Sequence, residues 1–224
     1  MKDIVIIGCG GLATEVKYLI DAINKNKPHW NLLGFIVDDG WGKQKDDEII
    51  DGCKVVGTIE DLNNINKEIF TVIAIGEAKY IKYAVEKINN PLVKFANLIH
   101  PSVEINSGEN IGYGNIISFG SFISYNVKIG NFNFFNTMCA VGHDAVIGSC
   151  NVFNPRCQIS GFVHIGDINF WGLNSSVIKG IKIGNNNKIG ASSLIIKNIK
   201  DNESLFGIPA RKMPVPTVSI IKNE

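Results

Sequence analysis

The residues most clearly suited to chemistry are the adjacent pair His143 and Asp144. An imidazole held by a carboxylate can take a proton from a nucleophile near neutral pH, so the pair is a candidate general base. The alternative is a hydrated pair of polar side chains at a turn. The settings of the other histidines, His29, His100 and His164, favour surface or structural roles. Because no three histidines converge by spacing, no metal site is expected.

A second candidate site is the glycine-rich segment Gly8–Ala13, which follows an apolar run and precedes a helical pattern. It matches the G-x-G-x-x-A pattern of dinucleotide-binding turns, and Asp38 and Asp39 end the next apolar run. Backbone N–H groups at such a helix N-terminus can hold a phosphate. Since residues 1–98 make only one mononucleotide half, a nucleotide-bearing substrate fits better than NAD.

The chain that positions these groups has 224 residues, enough for one large or two modest domains. The 22 basic and 21 acidic residues give a net charge of +1, which offers no basic surface to a nucleic acid. Apolar runs are strand-sized and far shorter than the roughly 20 residues that cross a bilayer. The N-terminus shows no signal-peptide pattern. We therefore expect a cytoplasmic protein that binds neither nucleic acid nor membrane.

The two halves of the chain follow different patterns, with 26 charged residues in residues 1–98 and 11 in residues 99–200. In the first half, apolar runs alternate with helical spacing. They predict strands at Asp3–Ile7, Leu32–Val37 and Ile69–Ile75, helices near 12–24 and 80–88, and a polar loop over 40–53. This alternation predicts βαβ units on a parallel sheet, that is, a Rossmann-like α/β domain over residues 1–98.

The second half repeats every six residues. From Ile99 to Ile195 every sixth residue is large and apolar, seventeen times without a change of phase. Strands have a period of two and helices one of about 3.6, so this period indicates a coil of short strands with a turn at each corner. Glycine and asparagine suit such corners because they tolerate positive φ. We predict an all-β hexapeptide-repeat parallel β-helix over residues 99–200 and a short tail over 201–224, in which Pro214 and Pro216 end regular structure.

Three hexads per turn would stack every eighteenth residue, and the resulting columns agree in side-chain size. One column is large and contains three consecutive aromatic residues: Ile99, Ile117, Phe135, Phe153, Trp171 and Ile189. Another is small: Ser121, Cys139, Cys157, Ser175 and Ser193. The five cysteines show no C-x-x-C spacing, and we interpret them as small buried residues rather than disulfide partners or zinc ligands.

Together these motifs resemble the bacterial sugar acetyltransferases of the hexapeptide-repeat superfamily, in the group of nucleotide-linked aminosugar N-acetyltransferases and sialic acid O-acetyltransferases. The resemblance covers almost the whole chain. It rests on Ile4–Ala13, Gly34–Asp39, Ala74–Gly76, Gly142–Gly148, Ile159–Gly161 and Gly207–Arg211. It implies a left-handed coil and a homotrimer with active sites between neighbouring subunits.

The resemblance also implies roles for individual residues. His143 would be the general base, and Asp144 would orient it. The nucleotide of the sugar would be held by Gly8, Gly10, Gly11 and Asp38, and acetyl-CoA would be contacted by Gly161, Leu173, Ala191 and Arg211. The implied reaction is direct transfer: His143 deprotonates the attacking amine as it adds to the thioester of acetyl-CoA, and a backbone N–H stabilises the oxyanion. No metal is implied.

The sequence departs from the group at three places. Val152 stands where many members have a second histidine, whose role would be absent or taken by Asn151 or Asn154. Leu12 stands where many relatives have histidine, and Glu77–Lys79 where asparagine and arginine are common. The sugar, the nucleotide and the acyl length therefore stay open.

The leading hypothesis is acetyl-CoA-dependent N-acetylation of a nucleotide-linked amino-deoxy sugar in surface glycan biosynthesis. The first alternative is O-acetylation of sialic acid or a related sugar, and the second is a non-catalytic nucleotide-binding trimer. A dehydrogenase or a zinc-dependent, carbonic-anhydrase-like β-helix fits less well, because a second mononucleotide half and three converging histidines are lacking.

Overall fold

A computed structural model of the chain describes residues 1–38, 49–106 and 110–213. The N-terminal elements are β1 (Lys2–Ile7), α1 (Gly11–Asn26), β2 (Trp30–Val37), β3 (Ile49–Ile50), β4 (Cys53–Thr58), α2 (Ile59–Asn63), β5 (Ile69–Ile73), α3 (Ala78–Lys87) and β6 (Val93–Phe95). The strands form one sheet in the order β3-β4-β2-β1-β5-β6, and only the β3–β4 pair is antiparallel. The predicted α/β domain is confirmed.

Burial explains this arrangement. The central strand β1 pairs with both β2 and β5, and its residues Ile4–Ile7 are all buried, as expected for a parallel sheet with helices on its faces. The helix α1 buries a single stripe formed by Ala13, Val16, Leu19 and Ile20. The sheet thereby holds the N-terminus of α1, with the glycine-rich turn, at the end of β1.

The prediction of a polar loop over residues 40–53 is wrong for residues 49–53, the part of that range that the structure describes. Residues Ile49–Ile50 pair with Cys53–Lys54 as an antiparallel hairpin, because Asp51 and Gly52 adopt the positive φ values of a tight turn. Residues 39–48, including Asp39, lie outside the described residues. The short helix α2, which the apolar pattern did not predict, begins with a capping box between Thr58 and Asp61.

From residue 98 the chain forms a parallel β-helix of three sheets. The first sheet contains β7 (Leu98–Ile99), β9 (Ile116–Ile117), β12 (Phe134–Phe135), β15 (Val152–Phe153), β18 (Phe170–Trp171), β21 (Lys188–Ile189), β23 (Ser204–Phe206) and β24 (Arg211–Lys212). The second contains β8 (Glu104–Ile105), β10 (Phe122–Ile123), β13 (Ala140–Val141), β16 (Gln158–Ile159), β19 (Ser176–Val177) and β22 (Leu194–Ile195). The third contains β11 (Lys128–Ile129), β14 (Val146–Ile147), β17 (His164–Ile165) and β20 (Lys182–Ile183).

The predicted stacking at eighteen residues is confirmed in both columns. Phe135 pairs with Phe153 and Phe153 with Trp171, with ring centroids 4.7 and 5.6 Å apart. In the small column, the Cys157 thiol lies 3.4 Å from the Ser175 hydroxyl. All five cysteines are free. Apolar residues of successive coils thus form a continuous interior.

The glycines that directly follow the repeated apolar residue are not there for the predicted tolerance of positive φ. Eight of the seventeen repeated apolar residues are followed by glycine, and none of these glycines has a positive φ: Gly112, Gly130, Gly142, Gly148, Gly166, Gly172, Gly184 and Gly190. A Cβ at Gly130 would lie 2.6 Å from the carbonyl oxygen of Gly148 in the next coil, so glycine is needed for close stacking. The positive φ values fall two positions later, at residues such as Phe132 and Asp144.

Buried asparagines form a ladder at one corner of the β-helix. The ladder consists of Asn115, Asn133, Asn151, Asn169 and Asn187. The Asn151 Nδ2 group donates to Oδ1 of Asn133 and to the carbonyl oxygen of Gly166, and its Oδ1 accepts from the backbone N–H and the amide of Asn169. Asparagine is therefore needed here for hydrogen bonding rather than for its tolerance of positive φ.

Replacing Asn151 with alanine is expected to lower the free energy of unfolding by about 2–4 kcal/mol, because several buried donors and acceptors lose their partners. Urea denaturation followed by circular dichroism measures this loss. The matched control is Asn31→Ala, which removes an exposed bond to Asp3 and should change stability by less than about 0.5 kcal/mol. Equal stabilities of the two variants would contradict the importance of the ladder.

The three faces of the β-helix differ in their outward side chains. The first sheet, the covered face, buries Leu98, Ile116, Phe134 and Val152 in one core with the α/β domain. The second sheet, the open face, points Glu104, Phe122, Ala140, Gln158, Ser176 and Leu194 outward. The third sheet, the charged face, points Lys128, Val146, His164 and Lys182 outward. Among the described residues, the outward side chains of the open face carry no charge beyond Glu104, and its last strand, β22, is bordered by the tail through backbone hydrogen bonds between Leu194 and both Gly207 and Ala210.

Two corners border the open face. The His143 corner (residues 142–145 and 160–163) joins it to the charged face, and the Leu173 corner (residues 172–175 and 190–193) joins it to the covered face. Each corner repeats with every coil, so a residue and its partner eighteen positions later lie one above the other. The spacing between coils is about 4.8 Å.

The tail begins as regular structure. The strands β23 and β24 extend the covered face beyond residue 200, as far as Lys212. The two prolines that were predicted to end regular structure lie outside the described residues. Among the residues that are described, no helix has both the length and the apolar character to span a membrane.

Candidate active site

The His143 corner holds the predicted histidine–carboxylate pair. Nδ1 of His143 lies 2.8 Å from Oδ2 of Asp144, and both side chains are partly exposed. Residues adjacent in sequence seldom face each other, but Asp144 has φ 58°, which turns its side chain back toward the imidazole. Its N–H donates to the carbonyl oxygen of Tyr125 in the preceding coil, which fixes this corner conformation.

The carboxylate determines which nitrogen of His143 is basic. Hydrogen bonds from His143 and Asn126 hold the pKa of Asp144 below its ordinary value, so the group is ionised at neutral pH. An ionised carboxylate only accepts hydrogen bonds, so Nδ1 of the neutral imidazole carries the proton. The lone pair of Nε2 is then free for a substrate proton.

Aromatic rings hold the imidazole plane. Tyr125 stacks on His143 with centroids 5.6 Å apart and planes 8° apart, and Phe162 meets it edge-on at 5.0 Å. The Nζ atom of Lys179 lies 4.9 Å from the centroid of the Phe162 ring. These contacts limit rotation of the imidazole and place an ammonium group close to the site.

Gly161 lies one coil from His143 and borders the free nitrogen. A Cβ atom at Gly161 would lie 2.9 Å from Nε2 and 3.0 Å from Cε1 of His143. Glycine therefore leaves space beside Nε2, which is where a reacting group has to approach. Of the four residues that the resemblance assigns to acetyl-CoA, Gly161 is the one beside His143.

Gly161→Ala is expected to lower kcat by about 10²-fold for a reaction in which His143 is the general base, because the new methyl group displaces the imidazole. The free energy of unfolding should change less than kcat, since the two closest contacts are with a side chain that can move and the His143 carbonyl oxygen, at 3.1 Å, needs to shift only slightly. Gly142→Ala is the matched comparison: its Cβ would lie 2.5 Å from the backbone nitrogen of Gly161, so it should lower the melting temperature as well as kcat. Steady-state kinetics and thermal unfolding of both variants separate the effects. Unchanged kcat in Gly161→Ala would contradict the assigned position of Nε2.

The other residues predicted to contact acetyl-CoA lie elsewhere on the same chain. Leu173 and Ala191 stack at the Leu173 corner, where the Ser192 N–H donates to the Leu173 carbonyl oxygen. Arg211 is exposed on β24, on the covered face. The open face separates these residues from His143, so one chain does not bring the two groups together.

A cleft lies between α1 and the side of the β-helix where the covered face meets the open face. It has a volume of about 370 Å³, and its helix wall includes Glu15 and Tyr18. Its opposite wall contains His100, Ser118, Phe119, Asn136, Thr137 and Pro155. Since Thr137, Pro155 and Leu173 are spaced at eighteen, the cleft continues into the Leu173 corner. Burial lowers the pKa of His100, so its imidazole is neutral at physiological pH.

The glycine-rich turn has the features of a phosphate site. Gly8 has φ 112°, and a Cβ there would lie 2.7 Å from the carbonyl oxygen of Ala74, so only glycine fits. At Gly10 and Gly11 a Cβ would meet no atom within 4 Å, so space is open in front of the helix. The first turn of α1 contains no acidic residue and receives no side-chain cap. The N–H groups of Ala13 and Thr14 donate to the Gly10 carbonyl oxygen, which leaves those of Gly11 and Leu12 for a phosphate.

Asp38, predicted to bind the nucleotide, is paired with Lys87 of the same chain. It is 7% exposed, and its two carboxylate oxygens accept from Nζ of Lys87 at 3.0 and 2.8 Å. The hydrogen bond to Asp38 holds the pKa of Lys87 above its ordinary value. The pair borders a cavity of about 260 Å³ that also contacts Thr58 and Glu60. A ribose can reach Asp38 only if Lys87 moves or is bound as well.

Two asparagines considered as substitutes for the missing second histidine are engaged elsewhere. Asn151 belongs to the buried ladder, and the Asn154 amide donates to the carbonyl oxygen of Trp171. Val152 itself is buried in the core shared with the α/β domain. Within the described residues, no group of three His, Cys, Asp or Glu side chains is placed to bind a metal.

Four residues around the His143–Asp144 pair were not predicted from the sequence: Tyr125, Asn126, Phe162 and Lys179. All four could have been found from spacing, because residues eighteen positions from His143, Gly161 or Asp144 stack on them. Lys87 gave no such signal, since it lies 49 positions from Asp38 and only the folded sheet brings them together.

Residues 3–88 match the family model of the PglD N-terminal domain, and a sequence search of curated proteins finds no match. Among solved structures, the chain is similar to a histidine-to-asparagine variant of perosamine N-acetyltransferase from Caulobacter crescentus in complex with CoA and GDP-perosamine. The TM-score is 0.81 and the identity 24%, over 96% of this chain and 98% of that one.

Two further structures are similar over comparable lengths. The acetyltransferase domain of PglB from Neisseria gonorrhoeae, in complex with acetyl coenzyme A, has a TM-score of 0.82 and 21% identity over 95% of this chain and 99% of that one. WeeI from Acinetobacter baumannii has a TM-score of 0.81 and 23% identity over 95% and 100%. At these identities the similarity shows a shared fold. The predicted combination of an α/β domain with a parallel β-helix is confirmed, as is the resemblance in fold to sugar acetyltransferases.

Proposed function

We propose that the protein is an acetyl-CoA-dependent N-acetyltransferase acting on the amino group of a nucleotide-linked amino-deoxy sugar, in surface glycan biosynthesis. The observation that carries this is the His143–Asp144 pair, whose Nε2 atom opens onto the space beside Gly161. The match to the PglD N-terminal domain and the CoA- and nucleotide-sugar-bound structures of similar fold support the substrate classes. The proposed location of the enzyme is the cytoplasm.

In this proposal Nε2 of His143 takes a proton from the attacking amine as the nitrogen adds to the thioester carbonyl carbon. Asp144 stabilises the imidazolium through Nδ1, and a backbone N–H stabilises the oxyanion. The tetrahedral intermediate then collapses, the C–S bond breaks, and the proton on Nε2 goes to the leaving thiolate. The products are the acetamido sugar and CoA, and no metal takes part.

The nucleotide sugar would bind across one chain. Its diphosphate would lie at the N-terminus of α1, held by backbone N–H groups beside Gly10 and Gly11. Asp38 would contact the nucleoside together with Lys87, its partner in the structure. The sugar would extend along α1 into the cleft that ends at the Leu173 corner.

The general base for that sugar would come from a second copy of the chain. Within one chain the open face lies between the cleft and His143, so neither half-site is complete alone. In a ring of three copies, each His143 corner would face the Leu173 corner of its neighbour. Acetyl-CoA would lie in the groove between them, contacting Gly161 of one copy and Leu173, Ala191 and Arg211 of the other. We therefore propose a homotrimer with three shared active sites.

The test is turnover of acetyl-CoA with nucleotide-linked 4-amino sugars, measured by thiol release and by mass of the product. N-acetylated product formed only with an amine-bearing acceptor is expected. Faster turnover of sialic acid or another amine-lacking acceptor would replace this proposal with O-acetylation. Failure to bind acetyl-CoA would replace it with a non-catalytic nucleotide-binding protein.

A further inference from the structure

Asn126 lies directly behind the His143–Asp144 pair and is not accounted for by the proposed reaction. It stacks on Asp144 one coil away, and both residues have positive φ, at 54° and 58°. Nδ2 of Asn126 donates to Oδ1 of Asp144 at 2.5 Å. Oδ2, the other oxygen of the same carboxylate, is the atom that contacts His143. The carboxylate therefore bridges an amide on one side and the imidazole on the other.

This bridge matters because the Asp144 side chain is at a solvent-accessible corner. A carboxylate there would rotate freely and exchange the imidazole for water unless a second contact held it. The amide of Asn126 supplies that contact, and as a donor it favours the ionised form of the carboxylate. Fixing one oxygen leaves the other aimed at Nδ1.

We propose that Asn126 is a positioning residue for the general base: it orients Asp144, which in turn fixes the tautomer and plane of His143. The inference rests on the proposed function, in which Nε2 of His143 accepts the substrate proton. Asn126 itself touches no reacting atom and acts through Asp144. Among the described residues, the ionisable side chains near the pair include Tyr125, stacked on the imidazole, and Lys179, over the Phe162 ring.

The first test is a double-mutant comparison of kcat. Asn126→Ala should lower kcat by about tenfold, the effect of one charge-assisted hydrogen bond, with KM for both substrates unchanged. In an Asp144→Ala background, the same Asn126→Ala change should lower kcat no further. An equal loss in both backgrounds would overturn the proposal, because Asn126 would then act independently of Asp144.

The second test adds charge instead of removing a donor. Asn126→Asp places a carboxylate against Asp144, and the extra negative charge stabilises the imidazolium of His143. The acid limb of kcat against pH should therefore move to higher pH by about one unit. Asn186→Asp is the matched control, since Asn186 has φ 54° and donates to Asn202 Oδ1 at 2.6 Å far from His143. If Asn126→Asp and Asn186→Asp lose stability equally and the acid limb of Asn126→Asp does not move, Asn126 has only a structural role and the proposal is overturned.

A readout independent of turnover separates this inference from the proposed function. The ¹⁵N chemical shifts of the His143 ring, assigned by comparison with His143→Ala, report its tautomer and its titration. We expect protonation at Nδ1 in the wild-type protein, a mixed tautomer in Asn126→Ala and an upward shift of the His143 pKa in Asn126→Asp. Unchanged shifts in both variants would overturn the role of Asn126, whatever reaction the wild-type protein performs.

Discussion

Replacing His143 with alanine is expected to lower kcat for acetyl transfer by roughly 10²–10⁴-fold, the usual contribution of a positioned general base. KM for the nucleotide sugar should change little, because the binding residues proposed for it lie on the α/β domain and in the cleft. The side chain is 41% exposed and contributes to no core, so the melting temperature should stay near that of the wild type. Steady-state kinetics and thermal unfolding of the purified variant measure all three quantities.

The matched control is His164→Ala, which removes an exposed histidine from the same β-helix. His164 points outward from β17 on the charged face, not on the open face. Its loss should leave kcat within about twofold of the wild-type value, as for an ordinary surface substitution. Full activity in His143→Ala would remove the general base from the mechanism, and a large loss in His164→Ala would point to the charged face instead.

The period of six predicted the β-helix because each coil must bury its inward residue on the coil below. That requirement acts at every repeat, so the pattern survives local variation such as Phe153 beside Trp171. The same reasoning accounts for only some of the corner residues, such as Gly120 and Asn126, which do have positive φ. Glycine is needed for close approach of the coils and asparagine for the buried ladder, while positive φ falls partly on bulky residues such as Phe162. Composition reveals which residue types a corner uses, but the hydrogen bonds and the spacing between coils determine why.

Some residues of the candidate site could likewise be predicted from the sequence, and others could not. His143 and Asp144 could be predicted because their chemistry lies in adjacent residues, and Asn126 could have been, since stacking follows from the period. The Asp38–Lys87 pair could not, because it depends on how a helix end meets a strand end across the folded sheet. Whether two half-sites belong to one chain or to two is likewise invisible in a single sequence, and it calls for an experiment on mixed subunits.

Mixing two inactive variants should restore activity if the site is shared between chains. One variant is His143→Ala, which keeps the nucleotide turn and the cleft. The other is Gly11→Glu, which keeps His143 but places a carboxylate at the N-terminus of α1. That position has open space around it, and an acidic residue in the first turn stabilises a helix, so the variant should fold. The same carboxylate repels the diphosphate of the substrate, so the homotrimer should be inactive.

Random trimers of these two variants, made by coexpression with different affinity tags, contain some sites with an intact half from each chain. Each half is intact in about half of the subunits, so activity should recover to about a quarter of the wild-type value. A site built within one chain would recover nothing, since every chain is defective in one half. The control mixture of His143→Ala with Asp144→Ala should show no more activity than the two variants measured separately, because both changes fall on the same half-site. Recovery in the first mixture alone therefore requires that His143 of one chain serve the sugar bound by another.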